Sequence, residues 1–187
     1  MREIPKIHIL GEDQSMSELR NPNTIPPRFR KSLDETSKRL AQAAKHDLTS
    51  DTNLLVIMRA GLGLLPAFIN EYPDAKIGFI DIDSPNEEQE PAIELSKKIP
   101  IDMRESDVII LEPVVAYAKA ASLAIASMIE AGSKPHVASV IISDLAEQRL
   151  RKKDIGHVWT IAVDQMDEDG WLRPGIGDAG DRQWGAR

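Results

Sequence analysis

The apolar positions of this chain follow two different periods, and the change between them predicts its elements. From Pro26 to Leu48 the residues Phe29, Leu33, Leu40, Ala44 and Leu48 recur at spacings near three, four and seven. That is one face of an amphipathic helix, with proline suited to its first turn. Short, nearly unbroken apolar runs follow: "NLLVIM" from Asn53, "KIGFIDI" from Lys76, "DVIILEP" from Asp107, "VASVIISD" from Val137 and "HVWTIAVD" from His157. Runs of this kind, rich in β-branched residues, are expected of strands covered on both faces. Between them "LLPAFINEY", "AKAASLAIASMIEAG" and "LAEQRLRKK" read as helices, the second closed by Gly132 and the third ending in basic residues.

This alternation predicts an α/β fold, a doubly wound parallel sheet with helices on both faces, in a single domain over residues 1–187. Ligands of such sheets bind beyond the carboxyl ends of the strands. Arg59, Asp81, Asp83, Glu112, Asp144 and Asp164 stand at or next to those ends. The tail "GWLRPGIGDAGDRQWGAR" is too rich in glycine for a long helix and is predicted to be an ordered loop or a floppy end.

Composition narrows the chemistry. The chain has no cysteine, which removes disulfides, thiolate metal sites and cysteine nucleophiles. Its formal net charge of -7 opposes nucleic acid, whose binding depends on Lys and Arg neutralising phosphates. No apolar run approaches the ~20 residues of a membrane span, and "MREIPKIHIL" lacks the apolar centre of a signal peptide. A cytoplasmic protein with a small-molecule ligand, and with neither nucleic acid nor membrane as partner, is therefore expected. The four histidines show no metal-ligand spacing, so no role is assigned to them. Most of the scattered Met and Trp residues read as packing.

Two stretches carry more specific information. "VIMRAGLGLL" and "PGIGDAGDRQWG" resemble the signatures of the uracil phosphoribosyltransferase family, and "LRNPNTIPPRFRKSLDETSKRLAQAAKHDL" resembles that family's opening helix. "KKIP" is similar to its Lys-Leu-Pro. The resemblance runs from Leu19 to the C-terminus. It implies a type I phosphoribosyltransferase-like fold with a C-terminal base-binding loop, a homodimer, and the joining of uracil to phosphoribosyl diphosphate with Mg2+. It places the base against Leu172, Gly177, Asp178 and Ala179, with Asp178 also facing the ribose or diphosphate. Catalytic contacts are implied for Arg59, Glu112 and Asp178. Asp81 and Asp83, two apart on a strand and so on one face, are candidate Mg2+ ligands.

The sugar-phosphate segment departs from the family pattern. Where the family reads Asp-Pro-Met-Leu-Ala-Thr-Gly-Gly-Ser, this chain reads "EPVVAYAKA". Glu112 stands for the Asp that holds the ribose hydroxyls and Ala116 is kept. Tyr117 stands for Thr, Ala118 and Lys119 for the two glycines, and Ala120 for Ser. A side chain in a left-handed turn costs about 1–2 kcal/mol, so "YAKAAS" is expected to become an early helical turn. Lys119 is either a phosphate contact or a solvated lysine. Tyr117 either stacks on a ligand or seals the emptied space. Ser84 replaces a family Arg near the diphosphate, and the family's β-arm is reduced to about "TSDTN".

Three functions fit these features. The first is a divergent enzyme acting on a uracil-like base and a ribosyl or phosphoribosyl compound, with efficient UMP synthesis in doubt. The second is a pyrimidine-binding pseudoenzyme. The third is a biosynthetic enzyme that reuses the fold, with Glu112 or Asp81 as acid or base.

Overall fold

The computed structural model describes residues 4–48, 51–83, 92–94, 103 and 105–185. In chain order the elements are β1 (Lys6–Ile9), α1 (Gln14–Arg20), α2 (Pro26–Asp47), β2 (Thr52–Met58), a 3-10 turn (Ala60–Gly63), α3 (Leu65–Glu71), β3 (Ile77–Asp83) and β4 (Ala92–Glu94). They continue as β5 (Asp107–Leu111), β6 (Val114–Val115), α4 (Lys119–Glu130), β7 (Lys134–Ser143), α5 (Asp144–Leu150), β8 (His157–Met166), β9 (Leu172–Arg173) and α6 (Ala179–Trp184).

The main sheet has the order β1-β8-β7-β5-β2-β3-β4, parallel throughout except for the β3–β4 pair. After β2 the chain steps to β3 on one side and then returns to β5 on the other. The strand order therefore reverses between β2 and β5, where a crevice opens at the carboxyl ends.

Period-two alternation within the strands divides the core into two layers. On β2, Leu54 and Val56 pack with Leu33 and Leu40 of α2 and Phe68 of α3. Leu55 and Ile57 point the other way, toward Ala121, Ile125 and Met128 of α4. Because both faces are covered, these runs contain no polar alternation. Each fully buried Leu or Ile contributes about 1.5–3 kcal/mol relative to exposure.

The five predicted strands and four predicted helices are all present. Besides the 3-10 turn, five short elements were not predicted: β1, α1, β4, β6 and β9. The tail, expected as an ordered loop or a floppy end, also forms α6, capped by Asp178, whose carboxylate accepts from the Asp181 amide at 2.8 Å. One local expectation is corrected. Helix α4 begins at Lys119, but Ala118 stays outside it in the left-handed region at φ 54° and ψ 23°. The methyl is buried there, and the segment before it is tied down by β7 and α5. Pro113 O accepts from the amides of Val140 and Ile141 at 3.0 and 3.1 Å. Ser143 Oγ donates to Ala116 O, and Arg149 donates to Tyr117 O at 2.7 Å. These bonds hold the turn open against the preference of its residue.

Among the described residues, no helix is long and apolar enough to cross a membrane.

Candidate functional site

A cleft of about 830 Å³ occupies the crevice between β2 and β5. Its first wall is the end of β2 and the turn after it, with Met58, Arg59 and Ala60. Gly61 allows this turn to lie against β5, since a Cβ at Gly61 would stand 2.4 Å from the backbone oxygen of Leu111. The turn thereby holds Arg59 over the cleft. Arg59 Nη2 donates to Asp181 Oδ1 at 3.2 Å, while its side chain remains 61% exposed.

The tail forms the second wall, with Leu172, Ile176, Gly177, Asp178 and Ala179 facing the cleft. Its shape is set from beneath by Asp164 at the end of β8. Asp164 accepts from both terminal nitrogens of Arg20, at 2.7 and 2.8 Å, and from the Gly175 amide at 2.9 Å. Arg20 in turn donates to Gly175 O at 3.0 Å and to both oxygens of Glu12. Burial works against the Arg20 charge, but Asp164 and Glu12 outweigh it and raise the guanidinium pKa further above its ordinary value. Arg182 ties the same loop to α1, donating to Ile176 O, Asn21 O and Leu19 O while lying 4.4 Å over the Phe29 ring.

The loop also needs Gly175. It sits at φ +65°, and a Cβ there would come within 2.2 Å of Leu172 O. Gly175→Ala is therefore expected to displace the 172–179 segment at a cost of about 1–3 kcal/mol. The check is a thermal melt paired with base titration, and an unchanged melt with unchanged base response would refute it.

Glu112 and the segment after it make the third wall, with Pro113, Val114, Ala116 and Ala120. Glu112 is half-buried by area, yet its Oε2 is sealed from solvent with no hydrogen-bond partner. Burial pushes its carboxyl up to about 8. At neutral pH it therefore holds a proton and can donate as well as accept a hydrogen bond.

The structure thus brings Arg59, Asp81, Glu112, Ala116, Ala120, Leu172, Gly177, Asp178 and Ala179 to one cleft. Tyr117, Ala118 and Lys119 are not among its lining. The Tyr117 hydroxyl lies over Gly170, where an added Cβ would meet it at 2.3 Å. Tyr117 thus reaches from the 112–118 segment to the turn after β8. Asp144 lies in the first turn of α5, its carboxylate accepting from the Leu145 amide, and Asp164 works beneath the tail. The Asp83 side chain, Ser84 and "KKIP" lie outside the described residues.

Sequence reasoning missed the apolar floor, Ile57, Ile82 and Ile141, because residues alternating into a cleft look the same as residues alternating into a core. It also took most of the Met and Trp residues as packing and singled out no tryptophan. Trp159 is fully buried, but Trp171 is 54% exposed at the cleft rim and Trp184 is exposed as well. An aromatic residue inside a glycine-rich tail was the available signal.

Known proteins resemble this chain in sequence and in fold. The family model described as uracil phosphoribosyltransferase matches residues 42–186. A uracil phosphoribosyltransferase from Salinibacter ruber is 30% identical over 160 residues, covering 83% of this chain and 76% of that protein. Among solved structures, the AQ2163 protein from Aquifex aeolicus superposes with a TM-score of 0.86 at 24% identity, covering 95% of this chain and 97% of its own. A purine phosphoribosyltransferase from Pyrococcus horikoshii superposes with a TM-score of 0.54 at 18% identity, covering 68% and 82%. The fold is that of the type I phosphoribosyltransferases, and the chain belongs to the uracil phosphoribosyltransferase family.

Proposed function

We propose that the cleft takes a uracil-like base against the tail and a ribosyl or phosphoribosyl compound against Glu112, with phosphoribosyl diphosphate a poor donor. One observation carries this reading: a pinned backbone loop and a proton-bearing carboxyl face each other across a single cleft. A rigid loop whose glycines permit close approach suits the donor and acceptor edge of a pyrimidine. A protonated Glu112 with an unpartnered oxygen suits a sugar hydroxyl, which both gives and accepts a hydrogen bond. The unpartnered oxygen also favours a ligand-binding enzyme over an inert relic, since leaving such an atom unsatisfied costs about 1–3 kcal/mol.

The donor's phosphates are served less well. Among the described lining residues Arg59 is a cation already paired with Asp181, while Asp81 and Asp178 are acids. The buried Ala118 methyl occupies a turn where glycine would let backbone amides close on a phosphate. Transfer would proceed by breaking the bond from the anomeric carbon to its leaving group and forming one to a ring nitrogen of the base. The protein would contribute alignment and the charge of Arg59. Mg2+ is usually held by one or two carboxylates together with substrate phosphates. Asp81, in the cleft lining, fits an ion that arrives with a diphosphate. A homodimer is part of the same reading.

Thermal-shift titrations with uracil, UMP and phosphoribosyl diphosphate with Mg2+ test the proposal. A ligand at about 100 times its Kd stabilises by about 2.7 kcal/mol, a shift of roughly 5–11 °C at this size. Uracil is expected to give such a shift and phosphoribosyl diphosphate a smaller one, which grows in the Ala118→Gly/Lys119→Gly variant. A full shift from phosphoribosyl diphosphate with ordinary UMP turnover would restore the standard enzyme. Silence toward all three ligands would refute the base site.

A further inference from the structure

At the amino end of the sheet three elements converge on a point remote from the cleft. His8 of β1, His157 at the start of β8 and Asp47 at the end of α2 face one another. His8 Nε2 lies 3.0 Å from His157 Nδ1, and Asp47 Oδ2 lies 3.6 Å from the first and 3.7 Å from the second. We propose that these three atoms form a binding site for a divalent transition metal of the zinc class.

The two imidazoles are nearly coplanar, with ring centroids 5.2 Å apart at 19°, so their nitrogens face each other, and an ion would require both rings to turn toward Asp47. A proton shared between the imidazoles accounts for the 3.0 Å separation, but the carboxylate oxygen is beyond hydrogen-bond distance of either ring. Three points at these separations lie on a circle of radius about 2.0 Å, so one ion can stand ~2.0–2.2 Å from all three, which is the bond length of Zn2+ to imidazole nitrogen and carboxylate oxygen. Two imidazoles and one carboxylate suit zinc and its neighbours and disfavour Mg2+ and Ca2+, which take oxygen ligands.

Outer groups hold these ligands in place, as metal sites require. Trp159 Nε1 donates to Asp47 Oδ2 at 2.8 Å. The His157 ring lies parallel to the Trp159 ring, with centroids 5.1 Å apart. His136 supports the backbone: its Nδ1 accepts from the His157 amide at 3.0 Å, so its Nε2 carries the proton that meets Asp107 at 2.8 Å. Asp47 also ends a 22-residue helix, whose carbonyl end favours a cation. The side chains of His8, Asp47 and His157 are 31%, 21% and 13% exposed, which leaves one side open for a water or a fourth donor. His46 faces the other oxygen of Asp47 and is not assigned a ligand role.

Along β8, His157 and Asp164 beneath the cleft are seven positions apart, roughly 23 Å of strand. The site is thus independent of the base and sugar contacts. An ion there would tie the edge strand β1 to α2 and β8. Sequence spacing concealed the set because its ligands come from positions 8, 47 and 157 and are assembled by parallel pairing of β1 with β8.

Calorimetric titration of tag-free, chelator-treated protein with Zn2+ and Co2+ tests the assignment, with Co2+ absorption reporting coordination. One equivalent should bind, saturating Mg2+ should not compete, and Zn2+ should raise the melting midpoint. His8→Gln and Asp47→Asn should each weaken binding by about tenfold or more, with circular dichroism confirming a native fold, and His46→Ala should bind as the parent does. The assignment is overturned if the parent binds neither ion at micromolar concentrations. It is equally overturned if folded His8→Gln binds undiminished, or if His46→Ala loses as much as His8→Gln.

Discussion

Replacing Asp164 by Ala is expected to lower the unfolding free energy by about 3–5 kcal/mol and the melting midpoint by roughly 10 °C. Asp164 is almost fully buried, and its two oxygens serve three donors, two from Arg20 and one from the Gly175 amide. Its removal leaves a largely buried guanidinium with Glu12 as its one acid partner and Gly175 O as an acceptor, and leaves an amide of the tail without that carboxylate. Removing one partner of such a pair costs far more than the pair contributes over a neutral substitute. Arg20→Ala should act in the same direction. The Arg20→Met/Asp164→Leu double variant should lose less than the sum of the two alanine variants, because no uncompensated charge remains. Since this pair shapes the base wall, uracil response should fall together with stability. Thermal and urea melts provide the check. A loss below about 1 kcal/mol for Asp164→Ala would show that the pair does not anchor the tail.

Glu112→Gln should do the opposite at neutral to alkaline pH, stabilising the fold while impairing function. The Glu112 carboxyl ionises near pH 8 in the folded protein, against an ordinary value of 4.5, because burial disfavours its charge. Between those two pH values the unfolded chain has released the proton and the folded chain retains it. The folded state therefore binds more protons, and stability falls as pH rises through the window. Discounted for the partly open side chain, the loss is about 2–4 kcal/mol by pH 8. Glutamine carries no such penalty. The variant should melt several degrees above the parent at pH 8 and together with it at pH 4, where both states of the parent are protonated. Parallel melting curves across this range would place Glu112 in solvent and remove it from the proposed sugar contact. Loss of ligand response in the stabilised variant would mark a residue retained for function at the expense of the fold.

Short elements were the least legible in the sequence. The four residues of β1, "KIHI", are half exposed and alternate polar with apolar over only four positions, the shortest run that signals a strand. They become a strand only because the edge of β8 offers unpaired backbone groups. Helix α6 depends on the Asp178 cap and on Gln183, which donates to Ala60 O across the cleft wall, so its existence is a tertiary event. The Ala118 turn shows propensity overruled. Sequence preference pointed to helix from Tyr117 onward, but hydrogen bonds to β7 and α5 keep Ala118 in a left-handed turn.

Composition and periodicity by themselves determined the α/β class, the long amphipathic helix, the doubly covered strands and the choice of strand ends as the place for a site. Those features depend on burial, and burial is written in the spacing of apolar residues. The motifs identified the family and drew attention to Arg59, Glu112 and the 172–179 tail. Only the tertiary structure decided what each group faces. It placed Asp164 under the tail rather than in the cleft, sealed one oxygen of Glu112, turned Tyr117 onto Gly170, and gathered His8, Asp47 and His157 at the far end of the sheet. A side chain's protonation and ligands depend on neighbours brought close by parallel pairing and helix packing, and separation along the chain carries almost no information about those distances.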